Sequence, residues 1–340
     1  MRKVIAGFAL ASTALLGASA VMAGPVLDRV RQNDMVVCGV NTAAPGFSNA
    51  DSKGQWSGLD VDYCHALAAA VLGDANKVKY VPLNSPQRFS ALQAGEVDIL
   101  ARNTTWNLTR DASLGAVFIG INYFDGQGFM VPKKYNITSA KQLNGATICV
   151  QSGTSSEKSV ADYFNANKMK YKAVLFDTTE ATQSAFISGR CQVYTTDMSD
   201  LAGARTRAKN PDDFVILSEV ISKEPLGPSV AKGDNEWFQI ARWVLNAWIE
   251  AEELGVTNAN VDTMRDTSAN PNVQRLLGKA EDMGKLLGLD KDWSYRIVKQ
   301  VGNYGESFDK NLGPNSALKL PRGINNLWTS GGILYAPPVR

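Results

Sequence analysis

One histidine, His65, and no C-x-x-C pair among four cysteines leave little with which to build a metal centre. His65 adjoins Cys64 within a helical stretch, so the two side chains point in different directions. The chain also lacks a close pair of acids, a nucleophile elbow, a histidine base in a strand-end loop and a Walker lysine. Acid–base, nucleophilic and nucleotide-dependent chemistry therefore have no visible apparatus. Net charge is scarce as well. Removing Arg2 and Lys3 from the 35 basic residues leaves 33, equal to the 33 acidic ones. Neither nucleic acid nor an anionic membrane surface is an expected partner.

Long apolar runs are confined to the N-terminus, where Arg2 and Lys3 precede an apolar stretch from Val4 to about Val21 and the small-residue site Val21-Met22-Ala23. This reads as a cleavable secretory signal over residues 1–23. Interrupting serines and threonines leave it short of the ~20 apolar residues that a membrane span needs. No cysteine lies near the cleavage point, so no lipid anchor is expected and the mature chain should float free after export. Removing 23 of 340 residues leaves 317, enough for about two domains, and a 44% apolar fraction suffices for their cores.

Strands and helices alternate along the first third. Met35 to Val40 is an apolar strand, followed by the loop Asn41 to Gln55 and a helix opening at Gly58. Tyr63, Leu67, Ala70 and Val71 fall on one face of that helix. Asp60 is placed to cap it, and Asp62 adds negative charge near the positive end of its dipole. Lys77 to Leu83 reads as a second strand. Ser85-Pro86 starts a helix that Gly95 stops ahead of the strand Val97 to Ala101. This alternation implies an α/β fold with a parallel sheet.

The pattern repeats further on. Ala146 to Gln151 is a strand, and Thr154 and Glu157 match a capping box on the helix behind it. Val174 to Phe176 precedes a helix opened by Asp177 and stopped by Gly189, and Gln192 to Thr196 is the last strand of the half. The extended segments Gln127 to Pro132 and Gly227 to Lys232 bracket this unit as two hinge strands, with Gly126, Gly128 and Gly227 supplying freedom to twist. The expected division is a discontinuous first lobe, residues 28–130 plus 232–340, and a continuous second lobe, residues 131–231. Trp237, Ala241, Val244, Leu245 and Trp248 take helical spacing and read as core. Residues 258–299 look like a mostly helical insert in the first lobe, ahead of a tail rich in Gly, Asn and Pro.

Four cysteines in an exported chain are expected to form two disulfides, for which three connectivities exist. Cys38–Cys64 with Cys149–Cys191 is preferred, because each bridge then stays inside one lobe and joins a strand to a neighbouring element.

The run Gly58-Leu59-Asp60-Val61-Asp62 resembles the opening of the first helix in the periplasmic polar-amino-acid-binding proteins of ABC importers. Tyr63 stands where that family usually has an aliphatic residue or phenylalanine. The loop Arg102-Asn103-Thr104-Thr105-Trp106-Asn107-Leu108-Thr109-Arg110 is similar to the family's Ser/Thr-rich stretch ending in an arginine, with Asn107 where threonine is common. Over nearly the whole mature chain, including Gly302-Asn303-Tyr304-Gly305-Glu306 and Trp328 to Pro338, the sequence looks like the family's general L-amino-acid-binding subclass. That resemblance implies a type II periplasmic-binding-protein fold that closes on L-amino acids and docks on the permease of an inner-membrane ABC transporter. A monomer without cofactor or metal is expected, and not an enzyme.

In a parallel α/β lobe, ligands bind beyond the carboxyl ends of the strands. Arg110 sits in such a loop, where a guanidinium can give two parallel hydrogen bonds to a carboxylate. The resemblance gives it the α-carboxylate, with Asn103 and Thr105 adding backbone or side-chain bonds. Thr154 and Ser155 open a helix whose free N–H groups suit an anion, and the resemblance points them at the same carboxylate. Asp197 follows the last strand and is implied to hold the α-amino group, with Asp200 a nearby competitor. Asn41 faces the ligand's side-chain end, where several relatives carry an acid, so a strict preference for basic amino acids is not expected. Phe47 and Trp106 could pack against the ligand stem, and either could equally be core. The rival reading is a periplasmic enzyme on the same fold that acts on a small carboxylate, such as a dehydratase. A tethered sensory module would need a second hydrophobic span.

Overall fold

The computed structural model describes residues 24–340, so the expected signal over 1–23 lies outside the described residues. No helix among the described residues is long and apolar enough to cross a membrane. Val36–Val40 pairs in parallel with Val78–Pro82 on one side and Ile99–Leu100 on the other. Ser229–Ala231 and Ala116–Phe118 complete this five-stranded sheet in antiparallel pairing. The second sheet places Thr147–Gln151 between Lys172–Phe176 and Val193–Asp197, all parallel. Tyr123–Pro132 joins it antiparallel, and carries Phe214–Ile216 and Ser222–Leu226 on its other edge.

Alternating side chains show why the second sheet is sandwiched between layers. Phe129, Val131, Ile148 and Val193 enter one buried cluster, while Met130, Cys149 and Tyr194 enter another on the opposite face. Such two-sided burial is what a doubly wound sheet requires. Two disulfides brace the sheets, Cys38–Cys64 across a Cα separation of 6.4 Å and Cys149–Cys191 across 5.6 Å.

The chain crosses between the sheets on Tyr123–Pro132 and returns on Ser222–Leu226, paired from Tyr123 opposite Leu226 to Gln127 opposite Ser222. This pairing begins earlier than the expected segments at 127–132 and 227–232. Glycine and proline flanks had marked the ends of the crossing rather than its paired middle. Gly227 is needed because its Cα lies against the Gly120 carbonyl, where a Cβ would come within 1.9 Å.

Leu59–Leu72 differs from the one-sided helix expected of it. It is buried on almost every side, because Trp293–Val301 from the C-terminal region packs along it. Neither acid caps it. Gly58 holds the N-cap position without a side-chain bond. The Asp60 carboxylate accepts from the backbone N–H of Asn103 (2.6 Å) and from Asn122 Nδ2 (3.0 Å). Asp62 accepts from Ser307 Oγ (2.5 Å), Asn311 Nδ2 (2.7 Å) and Lys310 Nζ. Both acids thus tie the helix to distant chain, a role local spacing does not reveal. Similarly, Thr178 rather than Asp177 caps Thr179–Ile187, while Asp177 accepts from Ser152 Oγ.

Trp237 and Trp248 are fully buried in Asn235–Glu253 with their indole N–H groups donated to Asp98 O and Gly302 O. The region after it forms Val261–Thr267, Pro271–Leu276, Trp293–Val301 and Tyr304–Asn311, all sharing the first sheet's core. The tail reaches the crossing: Asn325 Oδ1 accepts from Phe124 N (2.7 Å) and its Nδ2 donates to Phe124 O (3.0 Å).

Candidate ligand site between the two sheets

Strand ends from both sheets converge on one small, polar cavity. Val36–Val40 delivers Asn41, whose Nδ2 donates to Asn103 Oδ1 (2.9 Å) and whose Oδ1 accepts from Thr179 Oγ1 (3.2 Å). Ile99–Leu100 delivers Arg102, Asn103 and Thr105. Asn103 adopts a left-handed backbone, φ 37°, which asparagine tolerates better than most residues. Asp60 fixes its N–H, and its Nδ2 donates to Asp200 Oδ2 (3.1 Å).

Asn107 then terminates the loop by accepting from the N–H of Arg110, so it caps the short helix Leu108–Ser113. This turn folds Arg110 back toward its own loop. Its Nη1 donates to Thr105 O (2.8 Å), and the side chain is buried against the cavity. Trp106 goes elsewhere: its ring stacks on Phe118 at 5.5 Å, its N–H donates to Pro225 O, and it is not among the residues lining the cavity. Phe47 is likewise core, edge-on to Tyr123.

The second sheet contributes Gln151, Thr154, Ser155, Ser156, Thr196, Asp197 and Asp200. Thr154 caps Ser155–Ala166 by accepting from Glu157 N, and Glu157 reaches back to Gly153 N. The first-turn N–H groups of that helix therefore sit at the cavity edge, where the helix dipole favours an anion. Asp197 occupies the N-cap position of Met198–Thr206 without making a side-chain cap bond. Its carboxylate is left for the cavity, against the plain capping role.

Two arginines join Arg110 in the lining, Arg88 and Arg102. Arg88 went unmarked in the sequence although it follows the end of Val78–Pro82, where the strand-end rule could have found it. Arg102 is held by Leu83 O (2.8 Å) and Ser85 Oγ (3.1 Å). Arg88 makes only long contacts, 3.4 Å to Thr104 Oγ1 and 3.5 Å to Gly153 O, and its Nε has no partner. None of the three arginines forms an ion pair among the described residues.

Burial lowers the pKa of each guanidinium, that of Arg102 to about 10. The neighbouring cations Arg110 and Arg102 push Arg88 further the same way, whereas Glu224 and Asp197 support the charge of Arg110. The acids respond oppositely. Burial raises Asp200 to about 7 and Asp60 and Asp125 to about 6. Burial, reinforced by Asp125, Glu224 and Asp200, holds Asp197 well above the usual carboxylate range. A buried anion or cation costs free energy until a partner of opposite charge arrives.

The raised acids set a pH dependence of stability. Between about pH 4 and pH 7 the folded chain binds more protons at Asp60, Asp125 and Asp200 than the unfolded chain does. Their contribution to stability therefore falls as pH rises through that window. The unliganded protein is expected to melt several degrees higher at about pH 5.5 than at about pH 7.5 by differential scanning calorimetry. A flat profile would show that these acids are ionised at little cost.

Side chains of the two sheets touch directly across the cavity. Thr42 Oγ1 donates to Glu180 Oε2 (2.9 Å), Arg207 Nη2 to Asn49 Oδ1 (2.5 Å), and Thr105 Oγ1 lies 3.0 Å from Ser155 Oγ. With the contacts of Asn41 and Asn103 described above, these bonds define a closed arrangement. Zwitterions fit its charge pattern, with guanidiniums and helix N–H groups for carboxylate and aspartates for ammonium.

Comparison with known proteins agrees with this geometry. The sequence pattern of the bacterial extracellular solute-binding proteins, family 3, matches residues 36–259. The chain is 52% identical over 332 residues to the general L-amino acid-binding periplasmic protein AapJ of Rhizobium johnstonii, covering 97% of each chain. It is 48% identical to the glutamate/glutamine/aspartate/asparagine-binding protein BztA of Rhodobacter capsulatus, covering 99% of this chain and 100% of that one. A solved ABC transporter periplasmic binding protein from Brucella ovis with glutathione bound is 53% identical, with a TM-score of 0.90 over 92% of this chain and 99% of the other. Fold, cavity position and these matches agree: the chain belongs to the bacterial extracellular solute-binding proteins, family 3.

Proposed function

We propose that this chain is the exported solute-binding component of an amino-acid ABC importer, a monomer that captures L-amino acids by lobe closure and delivers them to the membrane permease. The convergence of Arg88, Arg102 and Arg110 with Asp197 and Asp200 in one interlobe cavity carries this reading. Arg110 and the N–H groups behind Thr154 and Ser155 take the α-carboxylate. Asp197 takes the α-ammonium, with Thr105 and Asn103 completing its shell and Asn41 facing the side-chain end. The lobes are those read from the sequence, residues 131–231 closing on the remainder. Export follows cleavage after Ala23, without a lipid anchor.

Arg88 narrows the cargo. One zwitterion satisfies one guanidinium fork, so the under-used Arg88 favours a ligand whose side chain brings a second carboxylate or carboxamide oxygen. The names of AapJ and BztA, a general binder and one for acidic and amide amino acids, are consistent with such a preference. Both are named as binding proteins, and no observation favours the dehydratase-like alternative.

A thermal-shift panel of the mature protein tests the proposal. Many L-amino acids are expected to raise the melting temperature, with glutamate, glutamine, aspartate and asparagine ahead of lysine and arginine. Ligand at 100 times its Kd stabilises by about 2.7 kcal/mol. Silence across all amino acids with a response to another small carboxylate would overturn the reading in favour of the enzyme.

A further inference from the structure

Glu224 does not line the cavity, yet it touches both of its walls. It lies in the returning strand Ser222–Leu226 and is 1% exposed. Its Oε2 accepts from Thr105 Oγ1 (2.6 Å) and from Ser155 Oγ (2.8 Å), and its Oε1 accepts from Ser222 Oγ. Thr105 comes from the strand-end loop of the first sheet and Ser155 from the helix start of the second. No lysine or arginine forms an ion pair with Glu224 among the described residues. A carboxylate so placed is held by hydroxyl donors alone, and each hydroxyl has one proton to give.

We propose that Glu224 is a positioning residue that fixes the sense of the hydrogen bonds in the cavity. An ionised carboxylate only accepts, so Thr105 and Ser155 both direct their protons toward it. Thr105 Oγ1 then presents only lone pairs to the cavity, the right face for the α-ammonium group of an amino acid. Ser155 and Glu224 both lie within residues 131–231 and Thr105 lies in the remainder, so one carboxylate oxygen joins hydroxyls from both lobes. This inference rests on the amino-acid reading above and adds a residue to its recognition of the ammonium group.

The competing effect has the opposite sign. Glu224 supports the positive charge of Arg110, so removing its charge alone would leave Arg110 freer to bind an anionic ligand. Weakened binding of L-glutamate by Glu224→Gln would therefore report orientation, because a carboxamide donates as well as accepts and reverses one hydroxyl.

Isothermal titration of L-glutamate into the mature wild-type protein, Glu224→Gln, Thr105→Val and the double variant is the test. Each single variant is expected to lose roughly 10- to 100-fold in affinity, the range for a hydrogen bond to a charged group. The double variant should be no weaker than the worse single, because both changes act through one hydroxyl. Glu224→Gln binding within about threefold of wild type, or losses that multiply in the double variant, would overturn the proposal. Arg110→Ala is titrated alongside. If it retains wild-type affinity, or wild type itself binds neither L-glutamate nor L-glutamine, the parent reading fails and this one with it. If Arg110→Ala loses binding and Glu224→Gln does not, only this inference falls. A crystal structure of the wild type with L-glutamate needs no variant. Thr105 Oγ1 should lie within hydrogen-bond distance of both Glu224 and the ligand nitrogen, and contact with a ligand carboxylate oxygen instead would refute it.

Discussion

Arg110→Ala is expected to weaken binding of every amino acid severely, whatever its side chain. The reason is that the α-carboxylate is common to all of them, while the guanidinium proposed to meet it is buried, free of ion pairs among the described residues and already oriented. Its Nη1 donates to Thr105 O at 2.8 Å, which fixes the plane of the fork before a ligand arrives. Asn107 sets the turn that aims it, by accepting from the Arg110 N–H. Truncating one partner of a buried, hydrogen-bonded charge pair costs about 2–5 kcal/mol, which is roughly 30-fold to a few thousand-fold in Kd. Arg110→Lys should recover little, since an ammonium cannot give two parallel bonds in one plane. The unliganded melting temperature should move little, because losing one charge-assisted hydrogen bond is offset by removing a buried cation that no ion pair compensates among the described residues. Titration calorimetry with glutamate, glutamine and alanine checks all three expectations. Selective loss for one ligand with retention for the others would move the α-carboxylate to Arg88 or Arg102.

The contrast between Arg110 and Arg88 shows what a sequence makes legible. Arg110 sits at the end of a run whose hydroxyls, amides and position after a strand are all local signals, and the same rule placed Asn41, Asn103, Thr105, Thr154, Ser155 and Asp197 around one cavity. Arg88 follows a strand end too, but a serine and a proline ahead of it read as a helix start and masked it. Asp60, Asp62 and Glu224 were beyond reach for a different reason. Their partners Asn103, Ser307 and Thr105 lie tens to hundreds of residues away in sequence, and a carboxylate next to a helix start looks locally like a cap. Trp106 stayed open between ligand stem and core for the same reason, since the ring it stacks on, Phe118, belongs to another strand. Strand order and helix order were legible because apolar alternation is local. The near-complete burial of Leu59–Leu72 was not, because the helix that covers it, Trp293–Val301, arrives more than two hundred residues later.

Replacing both cysteines of either disulfide by alanine is expected to cost more stability than any other surface-neutral change in the chain, and to leave ligand affinity nearly intact. Sequence separations of 26 and 42 residues for Cys38–Cys64 and Cys149–Cys191 correspond, in the chain-entropy description, to about 3.5 and about 4 kcal/mol of constraint on the unfolded state. All four cysteines are buried, so each alanine also forfeits packing. One bridge joins the strand Val36–Val40 of the first sheet to the helix Leu59–Leu72. The other joins Thr147–Gln151 of the second sheet to the entry of its neighbour Val193–Asp197. With the bridges in different sheets and no shared contacts, their losses should add. Neither bridge touches the cavity, so calorimetric titration of each folded double-alanine variant should return a Kd close to wild type while its urea midpoint falls. If affinity collapses together with stability, closure depends on the rigidity of a whole lobe. If stability scarcely moves, the bridges constrain an unfolded chain that was already compact.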